Sequence, residues 1–131
     1  AYSVDKWFRL DGRPENTDSW TGWFKDELLT LTEMADITKY TYGCKYDFVL
    51  THTCPRSWEP TDLFLRSVIQ SSVDKTMEYW LDVFKEYIQW EVWLFGHYHA
   101  DRYVKPGVEM LYTSIVDLEE IWDYELKRKE E

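Results

Sequence analysis

Long apolar runs are missing from this chain of 131 residues. No stretch approaches the roughly 18 apolar residues that a membrane span needs, and no signal-peptide pattern is visible. Cysteine is scarce, with two residues, so a disulfide scaffold is excluded. Cys44 and Cys54 flank an expected strand, Tyr46 to His52, whose rise of about 3.3 Å per residue holds them beyond disulfide reach. They read as free thiols, consistent with a reducing cytoplasm. Basic residues are outnumbered, 15 against 25 acidic, which gives a formal net charge of −10. A free acidic chain repels a phosphate backbone, and this argues against sequence-independent nucleic-acid binding. It leaves phosphate esters open as ligands, because a bound divalent cation dominates the field of its own site. There is no internal repeat and no low-complexity linker, and the length is one domain's worth at most.

Aromatic residues are plentiful at 18%, including eight Trp and ten Tyr. Two readings follow. Either the chain is part of a domain whose sheet face packs on absent strands, or it builds a self-contained Trp-rich core. Along the chain, Tyr2 and Val4 alternate with polar residues as in a short strand. Residues Leu10 to Ser19 carry turn formers. Thr30-Leu31-Thr32-Glu33 fits a capping box, with a helix from about Glu33 to Thr38 or a little beyond and a break at Gly43. Asp47 to His52 reads as a strand covered on both faces. Thr53 to Asp62 reads as a loop with Pro55 and Pro60. A long helix is expected from Ser71 to Tyr87, capped by Ser71 or Ser72. Its apolar face is Met77, Trp80, Leu81, Phe84 and Ile88, and the Trp80–Phe84 stripe belongs to a core. Glu91 to Phe95 is the next strand, and Gly96 is expected to turn the chain sharply. Val108 to Tyr112 and Ser114 to Leu118 read as two further short strands. Lys127 to Glu131 reads as a solvated, frayed charge run. Helices between strands indicate α/β architecture.

All three histidines fall where apolar runs end: His52 after Asp47-Phe48-Val49-Leu50-Thr51, and His97 and His99 in Gly96-His97-Tyr98-His99. Neutral imidazole is the commonest metal-ligating side chain, and strand ends that run into loops are where sheet scaffolds hold catalytic groups. A strand ending in Thr-His, a helix, and a strand ending in Gly-His-x-His together resemble the C-terminal half of the calcineurin-like metallophosphoesterase family. Ala1 to Arg9 resembles the segment after the family's Gly-Asn-His-Glu/Asp motif, and Trp20 to Glu27 its Trp-Phe-x-Asp-Glu continuation. His52-Thr53-Cys54-Pro55 with Pro60-Thr61 resembles the metal-loop region of a bacterial subgroup. The resemblance covers residue 1 to about residue 118. The family's earlier Asp-x-His, Gly-Asp and Gly-Asn-His motifs are absent, and the chain opens without Met.

The resemblance implies one side of an α/β/β/α sandwich, a mixed sheet with outer helices, with residues 1–131 forming a single partial domain. It implies a dinuclear site of divalent ions (Mn, Fe or Zn), with His52 and His97 on one metal and His99 on its neighbour. It further implies hydrolysis of phosphate mono- or diesters once the missing N-terminal half is supplied, and an inert chain without it. The rival expectation is a non-catalytic, self-associating module in which the histidines are a relic or a mononuclear structural site. Around the motifs, Lys45, Arg56 and Arg102 are either phosphate contacts or solvated charge. Tyr98 either lines a substrate pocket or packs in the core. Asp101 is a candidate to orient an imidazole, and Cys54 to add a thiolate. Asp117, Glu119 and Glu120 read as solvent-facing residues near a strand end.

Overall fold

The computed structural model describes residues 28–131. The expected strand at Tyr2–Val4, the loop at 10–19, and the matched segments 1–9 and 20–27 lie outside the described residues. The described chain is a mixed α/β fold. Helix α1 spans Leu31–Thr41, strand β1 Lys45–Thr51, helix α2 Thr76–Phe84, and strand β2 Gln89–Phe95. Strand β3 (Arg102–Lys105), strand β4 (Val108–Met110) and helix α3 (Leu118–Glu130) follow. Between β1 and α2 the chain runs through three short 3₁₀ turns, Arg56–Trp58, Thr61–Leu63 and Gln70–Ser72.

The four strands form one sheet in the order β1-β2-β4-β3. β1 and β4 run parallel to β2 on its two sides, and β3 is antiparallel to β4. β1 and β2 are joined through α2, as parallel neighbours require a crossover connection. β2 carries the core because it is paired on both sides and covered on both faces. Trp93 and Phe95 point into a cluster with Trp58, Leu81, Phe84 and Ile88, while Val92 and Leu94 meet Ile121 of α3 on the other face. The period-2 alternation of a strand thus feeds two cores from one element. Each such side chain taken fully from water contributes about 1.5–3 kcal/mol.

Several expectations need correction. β1 pairs only with β2 among the described residues, so it is an edge strand, and Leu50 is 66% exposed. Coverage on both faces belongs to β2. Helix α2 starts at Thr76 instead of beside Ser71 and Ser72, and Asp74 accepts from the Thr76 amide there (2.9 Å). Residues Gln70–Ser72 form their own 3₁₀ turn, and the apolar periodicity passes the helix only at its C-terminal side, at Ile88. Residues 114–117 are not a strand. Asp117 instead caps α3, accepting from the Glu119 and Glu120 amides. The charged run continues this helix to Glu130, with acidic residues in its first turn and Lys127, Arg128 and Lys129 in its last, which complements the helix dipole. Lys129 pairs with Glu91 on β2, and Arg128 with Glu125 at 3.0 Å.

Other expectations hold. The Thr30–Glu33 capping box is present in both directions, at 3.2 and 2.7 Å. Gly43, at φ 74°, follows α1. Three of the Trp residues form an internal edge-to-face cluster: Trp58, Trp90 and Trp93, with centroids 5.3–5.5 Å apart. Part of the aromatic content is therefore spent on the chain's own core.

Candidate metal centre

The two histidine loops lie side by side because β1 and β2 are in register, with Thr51 opposite Phe95. Past the strand ends the Gly96 amide donates to the His52 carbonyl at 3.0 Å, which ties one loop to the other. Thr51 holds the approach rigid. Its hydroxyl accepts from the Trp93 indole at 2.8 Å and donates to the Thr53 carbonyl at 2.5 Å. Gly96, where a sharp turn is expected, does not have a left-handed backbone. A Cβ at Gly96 would make only ordinary van der Waals contact, 3.4 Å from the Leu111 carbonyl oxygen and 3.8 Å from the His52 carbonyl oxygen.

The unusual backbone falls on the histidines themselves. His97 has φ 73° and His99 has φ 55°. A non-glycine residue in this region costs roughly 1–2 kcal/mol, and such strain concentrates at functional sites. The result is that His97 turns inward and is buried, while His99 stays exposed.

His97 Nδ1 lies 3.1 Å from His52 Nε2, with the rings nearly perpendicular at 74°. Burial is the main reason that the His97 pKa falls to about 3, with the His52 and His99 imidazoles adding to the effect. His97 is therefore neutral at physiological pH, the form that ligates metals. Two nitrogens that share one ion at about 2.0–2.1 Å, at angles between octahedral and tetrahedral, lie roughly 2.8–3.4 Å apart. The observed separation lies in this window, and it is also the length of a direct hydrogen bond between the two imidazoles.

His99 is placed differently. Its ring stacks on Tyr112 with centroids 4.9 Å apart and planes 16° apart. Among the described residues there is no group of three or more His, Cys, Asp or Glu side chains arranged to hold a metal ion. The structure thus brings two of the three expected ligands together.

Neighbouring groups sort clearly. Asp101 orients no imidazole. Its carboxylate accepts from the amides of Tyr112 (2.7 Å), Thr113 (3.2 Å) and Ser114 (3.0 Å) and from the Thr113 hydroxyl (2.6 Å). The Thr113 hydroxyl and these amides hold it well below the usual carboxylate range. Asp101 thereby fixes the loop on which the His99–Tyr112 stack rests. Arg102 is engaged in a bidentate pair with Asp62, at 2.9 and 2.8 Å. The Arg56 guanidinium lies 4.8 Å from the Tyr79 ring centroid, and Lys45 is 3.8 Å from Glu91. Cys54 is fully buried, and burial pushes its thiol up to about 12. A thiolate ligand is therefore costly there. Tyr98 packs between Phe64 and Phe95, and burial raises its phenol far above the usual range.

Glu78 was not singled out by the sequence. It is 94% buried on α2, where it accepts from the Thr53 hydroxyl at 3.0 Å, and burial raises its carboxyl pKa. The Thr53 hydroxyl also lies 3.2 Å from the Tyr98 hydroxyl. Its only sequence signal was a carboxylate at the position next to Met77 on an apolar helix face. A cleft of about 350 Å³ opens beside this cluster, and His52, His97, Thr53, Glu78 and Asp74 are the polar residues among those that line it with Thr51. It lies where the carboxyl ends of β1 and β2 meet the loops, the usual ligand position in parallel sheets.

Comparison with family models, with curated proteins and with solved structures finds no match for this chain. No described helix is long and apolar enough to cross a membrane.

Proposed function

We propose that this chain carries the histidine side of a divalent-metal phosphoesterase site, acting on phosphate mono- or diesters in the cytoplasm. The observation that carries the reading is the pair of facing imidazole nitrogens 3.1 Å apart at two adjacent strand ends. It is supported by the left-handed backbone at His97 and His99, and by the resemblance of the Thr-His and Gly-His-x-His segments to metallophosphoesterases.

His52 and His97 would hold one ion. Burial keeps His97 unprotonated for that purpose, and the Thr51, Trp93 and Gly96 contacts fix both loops. His99 would serve a neighbouring ion after release from Tyr112. The ions, of manganese, iron or zinc, supply Lewis-acid charge for the phosphoryl oxygens when bound. Two nitrogens leave an ion short of ligands, so oxygen donors from the family's N-terminal half complete the site, as another polypeptide or as preceding sequence. This chain is accordingly the C-terminal half of an α/β/β/α sandwich.

A rival reading rests on a different observation. Among the described residues β1 pairs only with β2 and Leu50 is exposed, and an unpaired strand edge templates pairing with further chains. A self-associating module with a mononuclear site would use that edge.

The test is manganese and zinc titration followed by isothermal calorimetry, together with manganese-dependent turnover of p-nitrophenyl phosphate and its diester. Binding should be lost in His52→Ala and in His97→Ala. Turnover should appear when a polypeptide with Asp-x-His and Gly-Asn-His motifs is supplied. Metal binding unchanged in both variants would remove the proposal.

A further inference from the structure

Glu59 lies between the 3₁₀ turns Arg56–Trp58 and Thr61–Leu63, and its side chain is only 4% exposed. Its Oε2 accepts from the Lys75 ammonium at 2.7 Å, and that ammonium also lies 4.7 Å from the Phe64 ring centroid. Its Oε1 is buried and has no hydrogen-bond partner among the described residues. Protein interiors rarely leave a buried acceptor in that state, because it has given up its water without a replacement donor. Glu59 also lines a small cavity together with Lys75, Glu78, His97, Tyr98 and Val73. The space open to the centre of a water molecule there is about 10 Å³.

We propose that this cavity is a binding site for a single water molecule, which donates to Glu59 Oε1. Three observations select that ligand. The volume is at the threshold for one water and excludes anything larger. The orphaned atom is an acceptor, so its partner must be a donor, and Lys75, Glu78 and Tyr98 supply the further polar neighbours that a buried water needs. The Lys75 ammonium already balances the Glu59 carboxylate, and no three His, Cys, Asp or Glu side chains among the described residues are arranged for a metal ion, so a neutral donor fits better than a cation. The water joins the Lys75–Glu59 pair to the cluster of Glu78, Thr53 and Tyr98. Thr53 and Tyr98 each follow a histidine, so the segment that carries Glu59 is stitched to both histidine loops. The site does not depend on a metal at His52 and His97.

The experiment uses the whole chain. A high-resolution crystal structure should show a water within hydrogen-bonding distance of Glu59 Oε1. Oxygen-17 relaxation dispersion then counts the waters held longer than the protein tumbles, and exchanging protons of Lys75 and Tyr98 do not enter an oxygen signal. Glu59→Met removes the acceptor, Val73→Leu adds bulk beside the cavity, and melting curves show which variants fold. Each folded variant should hold one long-lived water fewer than the wild type. A wild-type crystal structure with no water at Oε1, or an unchanged count in every folded variant, overturns the proposal. So does density at Oε1 that gains an anomalous signal after a rubidium soak, which marks a monovalent cation. If neither variant folds, the wild-type density at Oε1 decides.

Discussion

Gly43 and Gly107 share one backbone conformation and differ only in their surroundings, which makes them a matched pair. Their φ angles are 74° and 76°. An added Cβ at Gly43 would meet nothing within 4 Å, whereas at Gly107 it would lie 2.5 Å from the Glu91 carbonyl oxygen on β2. Gly43→Ala therefore carries only the left-handed penalty, about 1 kcal/mol. Gly107→Ala carries the same penalty and must also push β4 away from β2. That strains the hydrogen bond from the Trp93 amide to the Gly107 carbonyl, 2.7 Å long and worth about 1 kcal/mol. With the displaced packing the loss comes to about 2–4 kcal/mol. For a chain of this length these correspond to Tm falls of about 4 °C and about 10 °C. Urea and thermal melts followed by Trp fluorescence measure both. Equal losses in the two variants would refute the argument, since the β2–β4 contact would then yield without cost.

Four further outcomes follow from particular contacts. Glu78→Gln keeps the acceptor for Thr53 and removes a carboxyl whose pKa is raised by burial. A carboxyl with a raised folded pKa costs stability once pH rises through the unfolded value, so the variant should be more stable than wild type at pH 7 and should lose that advantage below the usual carboxylate range. Denaturant midpoints across pH 3–8 check the sign, and an advantage that grows toward acid would contradict it. Asp101→Ala should speed amide exchange at Tyr112, Thr113 and Ser114 while β2 amides keep their rates; uniform acceleration would mean that the carboxylate supports the whole fold instead of this loop. Cys44 should react with a maleimide under native conditions, whereas Cys54, buried and with its thiol at about 12, should react only after unfolding, and equal rates would count against its burial. Asp117→Ala removes the carboxylate that accepts from Glu119 and Glu120 at the start of α3, and should cost about 1 kcal/mol in urea melts.

The sequence made some of this legible because the signal was local. A capping box needs four consecutive residues, and Thr30 to Glu33 supplied them. The strands β1 and β2 announced themselves as apolar runs, each closing on a histidine. What escaped depended on distant partners. Nothing in Phe48-Val49-Leu50 separates a central strand from an edge, because the difference lies in which strand pairs beside it. The last third of the chain was misread for a similar reason. Residues 114–117 are polar and β-branched, but Asp117 ends them by capping a helix that is acidic in its first turn and basic in its last. A charge run such as Lys127 to Glu131 is equally compatible with a frayed tail, and the dipole and the Glu91 contact decide for helix.

The histidines show how far spacing carries a chemical argument. Two residues one apart on an extended segment face the same way, and in a turn they diverge. The left-handed φ at His97 and His99 selects divergence, with one ring buried against His52 and the other laid on Tyr112. The resemblance already groups His52 with His97 and sets His99 apart, and the backbone conformation places the His52 and His97 rings 3.1 Å apart and His99 on Tyr112. Under the proposed dinuclear reading, a second ion at His99 would require the Tyr112 stack to open, and Asp101 would bear on that step because it fixes the loop through Tyr112, Thr113 and Ser114. If the site is dinuclear, loosening that loop should change the second metal equivalent and leave the first, held by His52 and His97, as it was.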